Sequence, residues 1–236
     1  MLLSSAPGSG RAGAAAVKVV SFNMGTHKQP FPTLEQVVQA VRQAGEQPDV
    51  LLAQEIPWAV KHDILAEELG FEHLVSGLKH KPPSTRAIFS RTPLKNPVLI
   101  PLISLGPGSG TGALCATTTI QGLDVLVCSV HLETIRDEMA KGESLTTGVI
   151  LKYVKNELFN ENIRSRSVDT LIERLSELEP DKMIIGGDFN TFPFSKAIRK
   201  MNAQFDDAFW LSTAFFKGSY VDFSLFIKPR IDFIFH

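Results

Sequence analysis

The stretch Met183–Asn190, MIIGGDFN, decides how this chain folds. Its apolar start, free of polar interruption, is the pattern of a strand buried on both faces. Gly186 and Gly187 then let another backbone approach closely. Asp188 and Asn190, two apart, would point to the same side of an extended chain. An Asx turn after a strand would account for the final residues alone, but less well for the whole run. Three other apolar runs close in the same manner: VKVVSFN at Asn23, DVLLAQE at Glu55 and VLVCSVH at His131. Four such endings, each able to hold a metal ion or a phosphate, outline a site.

Spacing places them together. The first two runs flank TLEQVVQAVRQAG, and the last two flank a longer amphipathic region, so both pairs read as strand-helix-strand units with parallel strands. Such crossovers are right-handed, and parallel strands bring their carboxyl ends to one edge of a sheet. Asn23 should sit beside Glu55, and His131 beside Asp188. If the two units pack sheet against sheet, all of these side chains meet at one rim.

A carboxylate directly after DVLLAQ must be solvated or neutralised by a cation, because an unpaired buried charge is costly. Beside Asn23, Asp188 and Asn190, the cation is the better reading for Glu55. Oxygen ligands without cysteine suit Mg2+, with Mn2+ as the other candidate. Asp188 and Asn190 can orient a water for attack. His131 can donate a hydrogen bond or a proton to an oxygen on which charge develops. His27, His62, His73 and His80 lack such a setting and read as surface residues.

The rest of the chain sets bounds. Its 236 residues suit one large domain at 17–236 behind a flexible Gly-, Ser- and Ala-rich leader at 1–16. The leader lacks the apolar core of a secretory signal, and no later stretch is long enough to span a bilayer, so a soluble, cytoplasmic protein is expected. A net charge of −1 gives no global basic field. Lys79, His80 and Lys81, near Arg86 and Arg91, read as a solvated loop. Cys115 and Cys128 fall on the arms of a hairpin turning about Gly122 and Leu123, out of direct register, and are expected as buried thiols. A helix is expected from about Trp58 to Leu69, capped by Gly70, followed by strands in FEHLVSG, RAIFS and PVLIPLIS. GPGSGTG precedes a strand and lacks the Lys of a phosphate loop, so it reads as a flexible surface turn. Beyond His131, Glu143, Lys152, Lys155, Arg164 and Arg166 are expected to face solvent, with Leu171, Ile172, Leu175 and Leu178 packing inward. FWLSTAFF, at 209–216, is expected in the core or in an edge strand.

SFN, LLAQE, RAIFSRTPL, SVHLE, GGDFNTFP and RIDFIF, in this order, resemble the motifs of the endonuclease/exonuclease/phosphatase superfamily over nearly the whole chain after the leader. The resemblance implies a four-layered α/β sandwich with two central mixed β-sheets flanked by helices. It implies metal-dependent hydrolysis of phosphoester bonds by a phosphodiesterase or nuclease, on a substrate that could be nucleic acid. By motif, Glu55 is the principal metal ligand and Asn23 helps at the metal and the phosphate. Asp188 and Asn190 position water and phosphate, His131 contacts the phosphate or leaving oxygen, and Asp232 is the aspartate that orients a second histidine. Arg164 and Arg166 stand where relatives carry an Arg followed by Gln, which makes them substrate-contact candidates. The family's closing Ser-Asp-His does not follow RIDFIF. The expectations are poor or no hydrolysis, because the second family histidine is missing and His236 lies too far along the strand to serve Asp232, and an unpaired last sheet edge, because the last strand is missing. A phosphatase of a small phosphorylated lipid or sugar, and a catalytically impaired binding domain, are the alternative functions.

Overall fold

The computed structural model describes residues 2–3, 17–25, 32–43, 47–80, 84–106, 110–134, 147–211 and 230–236. Most of the leader, His27, Glu143, the centre of GPGSGTG and residues 212–216 of FWLSTAFF lie outside them.

The run VLLAQ, Val50–Gln54 (β3), is buried at every residue, as a central strand covered on both faces must be. It pairs in parallel with Val19–Asn23 (β2), and the two are linked through Leu34–Gln43 (α1). Helix α1 turns Val37, Val38 and Val41 inward. His62–Leu69 (α2) stops at Gly70, whose left-handed φ of 72° closes the helix as expected, although it begins four residues later than the pattern from Trp58 suggested. Leu2–Leu3 (β1), His73–Ser76 (β4) and Ala87–Ser90 (β5) complete a sheet in the order β1-β2-β3-β5-β4. The leader thus contributes one short antiparallel pairing, Leu2 and Leu3 against Val20 and Val19.

The second sheet contains Leu94–Ile100 (β6), Gly112–Ile120 (β7), Leu123–His131 (β8), Met183–Asp188 (β9) and Asp232–Phe235 (β10), in the order β10-β9-β8-β7-β6. Its one parallel pair is β8 with β9, reached through Thr147–Phe159 (α3) and Ile163–Ser176 (α4). Lys196–Asn202 (α5) follows β9. Val19, Val50, Leu52 and Ile88 pack with Leu114, Ala116, Val125 and Val127 between the sheets. One outer core holds α1 and α2 against the first sheet, and another holds α4 and α5 against the second. These four layers match the expected sandwich. No helix among the described residues is long and apolar enough to cross a membrane.

Several local expectations are corrected. The β7–β8 turn is Gln121–Gly122, both with positive φ, not Gly122–Leu123. That shift places Cys115 directly opposite Cys128, with Cα atoms 4.1 Å apart, and the two form a disulfide. Buried thiols therefore give way to a cross-link, which removes the support that free thiols gave to a reducing compartment. His62 is buried rather than exposed. Its Nδ1 lies 2.8 Å from Ser76 Oγ, and burial pushes its pKa down to about 4. His73 and His80 are half-buried, and Leu178 is exposed because it lies past the end of α4. Ala208–Leu211, overlapping the start of FWLSTAFF, form a short 3-10 helix rather than an edge strand. The outer side of β10 is not bare: Asp206 and His236 exchange two backbone hydrogen bonds of 3.0 Å, and Asp207 bridges Phe235.

Candidate active site

Strand register builds the site. Asn23 ends β2 opposite Gln54, so Glu55 emerges one residue beyond β3, while His131 ends β8 opposite Asp188 at the end of β9. Because the sheets stack face to face, the four ends share one rim, as the sequence implied. The Asn23 amide Nδ2 donates to Glu55 Oε1 at 3.1 Å and to Asp188 Oδ2 at 2.8 Å, joining the two sheets. A buried polar chain lies behind it. Ser21 Oγ donates to Gln54 Oε1, Gln54 Nε2 to Ser129 Oγ, and Ser129 Oγ to the Ala53 carbonyl. The sheets approach closely at Gly186, where a Cβ would lie 2.7 Å from Leu52 Cδ1.

Glu55 and Asn190 both take left-handed backbone, with φ of 49° and 48°. Such angles are uncommon outside glycine, although asparagine tolerates them. The expected extended geometry from Asp188 to Asn190 is therefore corrected. The Asn190 N–H donates to Asp188 Oδ1 at 2.8 Å and its side-chain Nδ2 donates to the Leu132 carbonyl at 2.9 Å. Asn190 thus fixes the Asp188 carboxylate and ties it to the end of β8.

His131 is 3 % exposed. Its Nδ1 lies 3.3 Å from the Gly110 carbonyl, and its Nε2 3.2 Å from Glu55 Oε1, an ionic contact whose angle falls short of a hydrogen bond. Burial alone would push this imidazole down. The contact with Glu55 and the charges of Asp188 and Glu55 outweigh burial and the opposing charge of Arg86, and hold it above the usual histidine value. Burial lifts the Asp188 carboxyl above the carboxylate range, against the pull of His131, the Asn190 N–H and the Asn23 amide; the Glu55 charge adds to the rise.

One ligand atom each from Glu55, His131 and Asp188 fall within 4.8 Å of one another. Two carboxylates this close repel, and one of them is held above its normal range, so this donor set fits a hard divalent cation. The Asn23 Oδ1 accepts the Gly25 N–H at 2.9 Å while its nitrogen faces the two carboxylates.

The remaining candidates separate. Asp232 begins β10 in register with Asp188 and is half-buried. Arg166 is exposed on α4. Arg164, expected at the surface and as a substrate contact, has 0 % exposure. Its guanidinium donates twice to Glu157 Oε1, at 2.6 and 3.2 Å, and once to the Glu133 carbonyl at 3.1 Å. Glu157 also accepts from Asn162 Nδ2 and Thr191 Oγ1. This network braces the chain just beyond His131 and Asn190.

Sequence reading missed Arg86, Gly110 and Glu133. Arg86 is 3 % exposed and donates to the Gly110 carbonyl, so it does not belong to a solvated loop. Glu133 Oε2 accepts the Leu105 N–H at 2.8 Å and Thr111 Oγ1 at 3.2 Å, tying the turn before β7 to the end of β8. The glycines of GPGSGTG held a usable signal, since glycines before a strand can mark a close approach as well as a turn.

Two stacked mixed sheets, with carboxylates, an amide and an imidazole converging at one rim, define an α/β sandwich with a candidate metal-assisted hydrolytic centre. The sequence profile of the Endonuclease/Exonuclease/phosphatase family matches residues 20–236, and the chain belongs to that family. Its members are phosphoesterase and nuclease hydrolases. Solved structures share the fold. A D. rerio TDP2 humanized by 14 mutations is 16% identical with a TM-score of 0.65, covering 93% of this chain and 82% of that one. The human Nocturnin catalytic domain with bound sulfate is 19% identical at 0.61, covering 93% and 80%. Sphingomyelinase C from Streptomyces griseocarneus is 14% identical at 0.61, covering 94% and 84%. No curated protein sequence matches the chain.

Proposed function

We propose that this chain hydrolyses phosphodiesters with a divalent cation, Mg2+ or in its place Mn2+, held at the rim by Glu55 and Asp188. The convergence of Glu55, His131 and Asp188 within 4.8 Å is the observation that carries this reading. When bound, such an ion polarises a phosphoryl oxygen and offsets its negative charge. Asn23 holds the two acids at fixed separation. Asp188, braced by Asn190, orients the attacking water. His131 presents Nε2 toward the same space and supplies a hydrogen bond or proton to the charged phosphate or leaving oxygen. Asp232, in register with Asp188, adds negative charge beside the water.

A diester suits the rim better than a monoester. Trp58, three residues beyond Glu55, is 63% exposed, and Phe194, four beyond Asn190, is 67% exposed. The loops that follow Glu55 and Asn190 thus each carry an aromatic ring able to stack on an organic group, including a base of single-stranded nucleic acid. The test is hydrolysis of bis-p-nitrophenyl phosphate, p-nitrophenyl phosphate and a single-stranded oligonucleotide with Mg2+, with Mn2+ and with chelator. Chelator-sensitive turnover of the diesters, lost in Asp188→Asn, supports the reading. Turnover of the monoester alone, or turnover indifferent to chelator, refutes it.

A further inference from the structure

Asn190 makes its left-handed turn between two fixed neighbours. On one side, the Phe189 N–H donates to the Ile231 carbonyl at 2.9 Å, and the buried Phe189 ring meets Phe233 and Phe235 edge-on. On the other, Thr191 is wholly buried and its hydroxyl donates to Glu157 Oε2 at 2.6 Å, the length of a hydrogen bond to a charged oxygen. The conformation that joins these two points, with φ of 48°, is the one in which the Asn190 N–H reaches Asp188 Oδ1 at 2.8 Å.

Glu157 is itself held rigidly. Its Oε1 accepts from Asn162 Nδ2 at 2.7 Å and from two nitrogens of Arg164, which leaves Oε2 to Thr191. Arg164 Nη1 also donates to the Glu133 carbonyl, one residue past the Leu132 carbonyl that takes the Asn190 amide, and the Leu132 N–H donates to the Asp188 carbonyl at 2.9 Å. One buried pair therefore grips both segments that Asn190 joins, and Thr191 is where that grip reaches the β9 side. A positive φ outside glycine persists only while its surroundings over-determine it. Without the Thr191 bond, Asn190 can relax to the right-handed or extended region, and Asp188 Oδ1 then loses its donor while Oδ2 keeps Asn23.

We propose that Thr191 is a positioning residue: its hydroxyl, anchored on Glu157, holds Asn190 in the left-handed conformation that aims the Asp188 carboxylate. The consequence for turnover rests on the phosphodiesterase reading above; the conformation of Asn190 does not.

The experiment is residue-by-residue hydrogen exchange, read by NMR on the full chain without added metal. Thr191→Val matches the shape without the donor, and Thr191→Ser restores the donor. In the native protein the Asn190 amide should be protected. In Thr191→Val it should exchange about tenfold faster or more relative to the β9 amides, the change expected for a lost hydrogen bond to a charged group. In Thr191→Ser it should return toward native. With Mg2+ and a diester, Thr191→Val should lower kcat by about 10- to 100-fold with KM little changed, the range typical of lost contacts behind a metal site, and Thr191→Ser should recover most of it. Asn190 exchange that is unchanged, or that speeds up only in step with β9, would overturn the proposal even if stability or activity fell, because a hydroxyl that merely stabilises the fold acts on both alike. So would an Asn190 amide that is unprotected in the native protein. Thr191→Ala, which removes the hydroxyl without crowding, is read in the same way if the valine variant does not fold. If the native chain cleaves no diester, the phosphodiesterase reading falls while the exchange rates still decide the role of Thr191.

Discussion

Replacing Glu157 with leucine should expose how much of the site's support is electrostatic. Glu157 and Arg164 are both wholly buried. The change would leave the guanidinium without its anion, and Asn162 Nδ2 and Thr191 Oγ1 without their acceptor. Removing one partner of a buried pair costs about 3–5 kcal/mol. In a chain of this size each kcal/mol shifts the thermal midpoint by roughly 2–4 °C, so a fall of roughly 6–20 °C is expected. Glu157→Leu combined with Arg164→Met removes both charges and should recover most of the loss. The remaining deficit is about 1 kcal/mol for each unsatisfied polar group. Urea unfolding followed by circular dichroism, on the wild type, both single variants and the double variant, measures the coupling directly. A single variant losing less than about 1 kcal/mol, or a double variant no better than Glu157→Leu, would show that the pair is not a buried strut.

His62 ties stability to pH. Its folded value of about 4 lies below the ordinary 6.5, so the unfolded chain binds the extra proton between those values and stability falls as pH drops through that window. The contribution is full above 6.5 and amounts to about 3 kcal/mol lost by pH 4. Urea midpoints from pH 7 to 5 should fall more steeply for the wild type than for His62→Gln, and equal slopes would contradict the buried, neutral ring. The Cys115–Cys128 link should appear as a cross-linked peptide in a non-reducing digest, and the double alanine variant should lose about 3 kcal/mol, the value for a short closed loop. Thiols that react in denaturant before any reductant is added would rule the link out.

The parallel pairs and the rim were legible because each rested on local rules that tertiary packing did not override. VLLAQ reads as a strand buried on both faces, and a helical crossover in each unit, short in the first and long in the second, put Asn23 beside Glu55 and His131 beside Asp188. The errors came where one residue of register or one distant partner decided the outcome. Moving the hairpin turn from Gly122–Leu123 to Gln121–Gly122 changed two separate thiols into facing cysteines, because Gln121 accepts a left-handed φ that the sequence does not advertise. Arg164 and Arg86 looked solvated because basic residues usually are. Their burial depends on Glu157, seven residues from Arg164, and on the Gly110 carbonyl, 24 residues from Arg86. His62 is buried for a similar reason, since it opens α2 while its partner Ser76 closes β4, 14 residues on.

The central claim is that Glu55 and Asp188, held together by Asn23, form a seat for one divalent cation. Calorimetric titration of the full chain with Mn2+, repeated on Glu55→Gln, tests it most directly. Glutamine preserves the shape but removes one of the two negative charges that converge at the rim. The wild type should bind a single ion, and the variant should bind it at least about tenfold more weakly, since ligand charge sets affinity for hard cations. Circular dichroism should show the same fold in both. Equal affinity in the two folded proteins would remove Glu55 from the metal seat and with it the proposed chemistry.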